Sequence, residues 1–332
     1  MSKHARLLFF AAGAAVFAFL IYQVGPGVLL ENLQRTGWTL VPVILSWIPV
    51  FLCWAAAWRL TMHGAPDLPP YWRLVSLSMS GLAVNLVTPL AQVGGEAFKI
   101  GAVSPWLGPQ RATSSIVTFY MLHAMTNMLV WLLGIALVFT AFHPPGALGL
   151  PLAAIGVLIG CLMVFVFARI RQGIIRPLVN LVRALPLVGK RLQQRFDAQQ
   201  ARIDELDVLI TGFYRASPPR FWLAFALDFT GRTLAFAEYW LIARGIGLEM
   251  SVVQTFVIGS LAALVINVIF FMPMEAGTKE GGLYYAFRTV GQDPGLGVFA
   301  AIVQRLRELT WIAIGLILIW AAGDRQLTGV KK

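Results

Sequence analysis

Long apolar runs constrain this chain more than any other feature: they fall at 7–24, 40–57, 74–90, 116–142, 148–168, 221–242, 252–272 and 312–322. A helix of ~20 apolar residues crosses the ~30 Å hydrocarbon core of a bilayer, where backbone polar groups must be satisfied within the structure. A transmembrane barrel would instead need segments of ~10 residues with alternating polarity. Charged residues make up only 12% of the sequence, against ~25% in a soluble domain. The expectation is an all-α polytopic membrane protein, with 1–332 forming a single integral membrane domain.

Lysine and arginine outnumber the acids 26 to 15. No nucleic-acid-reading motif accompanies that excess, so a nucleic-acid partner is not expected. Cytoplasmic loops of membrane proteins are enriched in basic residues, which also attract anionic headgroups. Residues 169–220 carry Arg169, Arg171, Arg176, Arg183, Lys190, Arg191, Arg195 and Arg202 among their bases, which makes 171–217 a cytoplasmic basic loop. It reads either as an amphipathic segment on the lipid surface or as a solvated linker. Both termini, with Lys3 and Arg6 at one and Arg325, Lys331 and Lys332 at the other, are expected in the cytoplasm, the membrane being of the inner, cytoplasmic type. Residues 1–24 read as an uncleaved first transmembrane helix, because no small-residue cleavage site follows the apolar stretch. Cys53 and Cys161 lie inside apolar runs and imply no disulfide framework.

Charge placement then limits the crossings. If all five apolar runs before residue 169 spanned the membrane, the basic loop would emerge on the wrong face. The run at 74–90 is the one to turn back, since it leads into Pro89, Gly94, Gly95, Gly101, Pro105 and Gly108 with no room for another span before Arg111. Broken helices are tolerated at membrane depth where protein or a wet cavity surrounds the freed backbone. Residues 73–110 therefore form a re-entrant hairpin. The run at 252–272 leads likewise into Pro273, Gly277, Gly281, Gly282, Gly291 and Pro294, giving a second hairpin at 251–296 that opens to the opposite face.

An ordered set of weak identities links the two regions. Trp58 precedes Asn85 by the same interval as Trp240 precedes Asn267, and Asn85, Pro89, Gly94 and Glu96 are answered by Asn267, Pro273, Gly277 and Glu280. Residues 39–143 and 218–323 thus form two repeat units of opposite topology joined by a helix at 148–170, an arrangement common among secondary transporters. The total is six full spans plus two hairpins.

The candidate site residues cluster at the hairpins. Glu96 and Lys99 follow Gly94 and Gly95, while Lys279 and Glu280 lie between Gly277 and Gly281. Glycines let backbone N–H groups approach a ligand, and a helix start favours an anion. With Asn85, Pro89, Asn267, Pro273, Arg288 and Arg305, these residues suit a phosphate-bearing headgroup. Alternatively Glu96 and Lys99 pair at one-turn spacing, and the glycines serve close packing. Asp228 with Arg232 and Arg305 with Glu308 can share helix faces, whereas Glu238 and Arg307 are less obviously paired; such charges inside a membrane are functional candidates or structural ion pairs. Trp38, Trp47, Trp72, Trp106, Trp131 and Trp320 read as interface anchors or packing. His4, His63, His123 and His143 lack metal-ligand spacing, and there is neither a P-loop nor a Gly-x-Ser-x-Gly elbow. No metal or cofactor is expected.

The stretch Thr88-Pro89-Leu90-Ala91-Gln92-Val93-Gly94-Gly95-Glu96-Ala97-Phe98-Lys99 resembles the first motif of the flippase-like family that includes the membrane region of lysylphosphatidylglycerol synthases. The second motif resembles Pro273 to Gly281 followed by Arg305. Lys99 and Phe119 stand where arginine is commoner in that family, and Met274-Glu275 where glycine is usual. The resemblance implies a bacterial inner-membrane protein, with translocation of a phospholipid, a polyprenyl-phosphate-linked lipid or another glycolipid as the leading activity. The other expectations are a membrane-embedded lipid-headgroup transferase and a non-catalytic scaffold for envelope-biosynthesis enzymes. The sequence supplies no catalytic motif for the transferase.

Overall fold

The computed structural model describes residues 36–62, 64, 65, 67–87, 94–144, 146–169, 211–215, 217–268 and 277–326, together with isolated positions at 22, 27, 30, 31, 34 and 208. The expected first span at 1–24, most of the 171–217 loop, and both hairpin tips with Pro89 and Pro273 lie outside the described residues. All regular structure among the described residues is helical. The helices are α1 (Leu40–Leu45), α2 (Trp47–Thr61), α3 (Tyr71–Val87), α4 (Gly94–Leu107), α5 (Pro109–Leu137), α6 (Gly146–Arg169), α7 (Pro218–Ala235), α8 (Ala237–Gly245), α9 (Val252–Val268), α10 (Thr278–Thr289) and α11 (Pro294–Gln326). Among the described residues, three stretches are long and apolar enough to cross a membrane: Gly37–Thr61, Pro109–Phe142 and Leu148–Arg169.

Local sequence sets the helix boundaries. Gly108 adopts φ +74°, a left-handed conformation costly for other residues, and Pro109 then starts α5 with its φ already suited to a helix. Ser251 and Gln254 cap α9 reciprocally: Ser251 N–H donates to Gln254 Oε1 at 2.9 Å, and Gln254 N–H to Ser251 Oγ at 3.1 Å. This arrangement satisfies two N–H groups that a helix start leaves unpaired.

Both hairpins have short arms. The 17 residues of α3 and of α9 extend ~25 Å, and the 14 of α4 and 12 of α10 extend ~20 Å, each less than the ~30 Å core. The helices that follow them are long, Pro109–Phe142 with 34 residues and α11 with 33. Contacts between the two halves are reciprocal: α3 packs on α11, and α9 packs on α5. Ser80 donates to the Gly315 carbonyl at 3.4 Å, and Val87 packs with Ile312 and Leu316. In the other half Ser260 fills the space beside Gly134, and Leu264 packs with Ile135, Met128 and Trp131. Each outgoing hairpin arm therefore lies along the long helix of the opposite half.

The first helices of the halves, α2 and α7, meet at Gly231, where an added Cβ would stand 2.9 Å from the Trp54 ring. α6 packs on α5 at the edge of the bundle and leaves Leu150, Val157, Leu158 and Val164 exposed, as a lipid-facing helix requires.

Gly297 of α11 allows a close approach to α10, because a Cβ there would run into the backbone of Leu283 and Tyr284. Gly101 faces open space. Gly297→Ala should destabilise the purified protein by about 1–3 kcal/mol through overpacking, whereas Gly101→Ala should stabilise it by roughly 0.5–1 kcal/mol by restricting the unfolded chain. Thermal unfolding of the two variants measures the contrast.

Candidate functional site

The first cluster forms where α4 begins against the end of α3. Asn85 spans the hairpin: its Oδ1 accepts Gly95 N–H at 2.6 Å and its Nδ2 donates to Glu96 Oε1 at 2.8 Å. The same carboxylate oxygen accepts the Tyr120 hydroxyl of α5. Lys99 Nζ donates to Tyr120 Oη at 3.2 Å and lies 3.5 Å from Glu96 Oε2. That Oε2 is buried without a hydrogen-bond partner, and Lys99 is only 7% exposed. Close packing of the arms depends on two glycines. A Cβ on Gly95 would meet the Gly81 carbonyl and Asn85, while one on Gly81 would meet the Lys99 side chain.

The second cluster joins α10, α11 and α8. Gly277, at φ +79°, donates its N–H to Glu280 Oε2 at 2.9 Å. Arg305 Nη2 reaches Glu280 Oε1 at 2.7 Å and its Nε reaches the same oxygen at 2.9 Å. Lys279, 4% exposed, donates to Glu308 Oε1 at 2.5 Å, and Arg307 Nη2 approaches that oxygen at 3.7 Å. Arg307 Nε also donates to Glu238 Oε2 at 3.1 Å. Gln304 donates to Glu238 Oε1, and Trp47 Nε1 donates to Glu238 Oε2 at 3.0 Å. The Arg307 guanidinium lies 3.9 Å from the centre of the Trp47 ring, a cation–π contact.

A third group lies between α5 and α7. Asp228, wholly buried, pairs through Oδ1 with His123 Nδ1 at 2.8 Å and accepts the Thr126 hydroxyl on Oδ2. Arg232 Nη2 donates to the His123 carbonyl at 3.4 Å. Aromatic rings connect this group to the second cluster, since Trp54 meets His123 edge-on at 5.2 Å and Trp47 meets Trp54 at 6.0 Å.

Several expected pairings therefore change. Asp228 takes its hydrogen bonds from His123 and Thr126 rather than from Arg232, because α5 presents an imidazole and a hydroxyl directly across the interface. Arg305 takes Glu280 instead of Glu308, whose carboxylate goes to Lys279 and Arg307. Glu238 and Arg307, the least obvious pair, are joined side chain to side chain. Asn267 is exposed and donates to the Ala263 carbonyl of its own helix at 2.8 Å, so it does not act on Glu280 as Asn85 acts on Glu96. Arg288 is exposed near the far end of α10, beside His143, away from Lys279 and Glu280. Gly281 faces open space and makes no close approach. Trp47 serves as a polar anchor within the bundle.

Tyr120, His123, Thr126, Gln304 and Gly81 complete the site without having been singled out from the sequence. A signal was present for the first two: Tyr120, His123 and Asn127 recur at helical spacing within the apolar run at 116–142 and mark one polar face. Tyr120, one residue after the position where the family more often has arginine, binds Glu96 through its phenol hydroxyl where the second half uses Arg305 on Glu280.

A family model described as the lysylphosphatidylglycerol synthase TM region matches residues 5–316. The chain belongs to that family. Comparison with curated proteins finds no match. Membership in the lysylphosphatidylglycerol synthase TM-region family, together with the three apolar helices, establishes a membrane protein with a lipid-related function.

The two asparagines yield opposite expectations. Asn85→Ala removes the acceptor of the Gly95 N–H and one of two donors to Glu96 Oε1, and should cost about 1–3 kcal/mol. Asn267→Ala, at an exposed position, should stay within roughly 0.5 kcal/mol. Unfolding of the two variants in the same detergent decides between them.

Proposed function

We propose that this chain moves a phosphate-bearing lipid across the bacterial cytoplasmic membrane, using two hairpins of opposite topology as alternating gates. The observation that carries this reading is the placement of two buried lysines, Lys99 and Lys279, each beside a glutamate in the first turn or two after a hairpin tip. Charges at such depth are costly, and these lie beside hairpin tips whose Gly95 and Gly277 N–H groups are held by Asn85 and Glu280, so a ligand anion would compete with those side chains. The clusters are internally neutral, with Lys99 facing Glu96, and three cations facing Glu280, Glu308 and Glu238. A headgroup phosphate can therefore enter by exchanging with a carboxylate on a lysine or arginine, and the displaced glutamate takes up a proton or holds the other gate.

Reciprocal packing supports the alternation. Val87, next to the tip of the first hairpin, lies against Ile312, one turn from Glu308, so a shift of that hairpin acts on the charged face of α11. The Leu264 contact to Met128 couples the second hairpin to α5 in the same way. With no nucleotide-binding loop in the sequence, the driving force is an ion gradient, the lipid gradient or a partner.

The family description, which names a synthase, favours a second reading: headgroup transfer within the membrane. The two differ in products, since transfer creates a new lipid and translocation does not.

Liposome scrambling with a fluorescent phosphatidylglycerol tests the proposal. Glu96→Gln and Glu280→Gln should each slow transbilayer exchange about tenfold or more, equivalent to ~1.4 kcal/mol on a barrier, with unfolding temperatures that show an intact fold. Wild-type rates in both variants would remove the site assignment, and a new lipid species in the product analysis would favour transfer.

A further inference from the structure

The buried group between α5 and α7 differs from the two hairpin clusters in the kind of charge it holds. Those clusters pair carboxylates with lysine or arginine, which keep their charges near neutral pH. His123 carries the one type of side chain whose unperturbed charge changes between about pH 5 and 8. The other described histidine, His143, is exposed beside Arg288. Two contacts fix how His123 acts. Asp228, wholly buried, accepts the Thr126 hydroxyl on Oδ2 and meets His123 Nδ1 at 2.8 Å on Oδ1. An ionised carboxylate only accepts hydrogen bonds, so Nδ1 carries the hydrogen and Nε2 is the base that takes a further proton. The imidazole keeps 21% of its side chain exposed, which gives that proton a way in.

The surrounding charges decide when His123 is protonated. α7 presents Asp228 and Arg232, and α2 presents the Cys53 thiol, near Asp228. α4 brings Lys99, whose charge acts on His123, together with Glu96. On α5 itself the Tyr120 ring lies 6.0 Å from the imidazole. α9 carries no ionisable residue, and α6 only the exposed Cys161 and the terminal Arg169; Tyr214 packs on Phe221. With a neutral imidazole, Asp228 and Arg232 cancel. Protonation then adds a cation beside Lys99. Arg232 is 9% exposed and its Nε makes no hydrogen bond among the described residues, so Asp228 already faces an under-satisfied cation and does not by itself offset a second. A headgroup phosphate on Lys99 changes this balance by placing negative charge about one helical turn from His123. Glu96 stays ionised meanwhile, because Asn85 and Tyr120 both donate to its Oε1. The compensating proton falls to His123.

Building on the translocation reading of the hairpins, we propose that His123 binds one proton for each anionic headgroup that reaches Lys99, so that lipid movement is coupled to protons. The proton adds to Nε2 from water as the lipid enters and returns to water as it leaves; no other bond forms or breaks. Each ligand then favours the other to the same extent. A singly charged phospholipid and its proton cross as a neutral pair, which lowers the cost of carrying a phosphate through hydrocarbon. Asp228 is a positioning residue that holds the imidazole tautomer.

Isothermal titration of the full chain in a neutral detergent with dioctanoyl phosphatidylglycerol, repeated at one pH in two buffers of different ionisation enthalpy, counts the protons taken up per lipid bound. The wild type should take up roughly half to one proton near pH 7. His123→Gln should bind lipid with uptake near zero, and His143→Gln should match the wild type. Asp228→Asn, which no longer fixes the tautomer, should shift the pH at which uptake is largest. The proposal is overturned if His123→Gln takes up protons as the wild type does, or if His143→Gln loses as much. A second measurement needs only the wild type. In vesicles with a pH gradient of one unit, and after subtraction of protein-free vesicles, fluorescent phosphatidylglycerol should move toward the alkaline leaflet about tenfold faster than toward the acidic one, the factor that one coupled proton imposes. Nigericin with potassium on both sides should abolish the preference. Equal rates in both directions would also overturn the proposal. Lipid that binds and scrambles without proton uptake defeats this inference alone, whereas a wild type that neither binds nor scrambles phosphatidylglycerol defeats the translocation reading with it.

Discussion

The cost of placing charge in hydrocarbon governs this structure. Lys99, Lys279, Asp228, Glu238 and Arg307 are all buried, and an ionised group removed from water must find a partner and hydrogen bonds or give up its charge. Here the partners come from different helices. Arg307 on α11 reaches Glu238 on α8, His123 on α5 reaches Asp228 on α7, and Tyr120 on α5 reaches Glu96 on α4. Because each pair has to form, the pairs fix which helices adjoin and at what height. Removing a single partner leaves a buried charge uncompensated, a cost of several kcal/mol. Such pairing therefore specifies the fold more than it stabilises it.

Small residues make the pairing geometrically feasible. Between membrane helices there is little hydrophobic driving force, and close contact depends on residues that let backbones approach. Gly95 and Gly81 bring α4 onto α3 so that Asn85 can span the hairpin, Gly231 brings α7 onto Trp54, and Gly134 receives Ser260. The aromatic stripe of α2 then links the charged groups, Trp54 contacting His123 and Trp47 contacting Arg307 and Glu238. A change at one hairpin thus has a physical route to the other half of the molecule.

Much of this was legible in the residues. Apolar run length indicated a helical membrane protein, and Pro89 with Gly94 and Pro273 with Gly277 marked where helices break, whereas Pro105 proves to lie inside α4. The Thr88–Lys99 motif led to the family that the chain proves to belong to. Partners were harder to read, because spacing along one helix shows which side chains share a face and not what the neighbouring helix offers. Arg305 and Glu308 could pair by spacing, yet α10 brings Glu280 and Lys279 between them. Asp228 could pair with Arg232, yet α5 brings His123. Tyr120 escaped notice, and Trp47 read as an interface anchor or packing, for a related reason, since an aromatic side chain in an apolar run shows no polar role until a carboxylate lies within reach of its hydroxyl or indole N–H.

The central claim of the proposed function is that the two hairpins enter the bilayer from opposite faces. Labelling of single cysteines with a membrane-impermeant maleimide, in protein lacking Cys53 and Cys161, tests it most directly. Positions 67 and 110 flank the first hairpin, and positions 249 and 292 flank the second. Both members of the first pair should react from the face that carries the basic 171–217 segment, and both members of the second pair from the opposite face. Reaction of all four from one face, or of the two ends of either hairpin from different faces, would contradict the account.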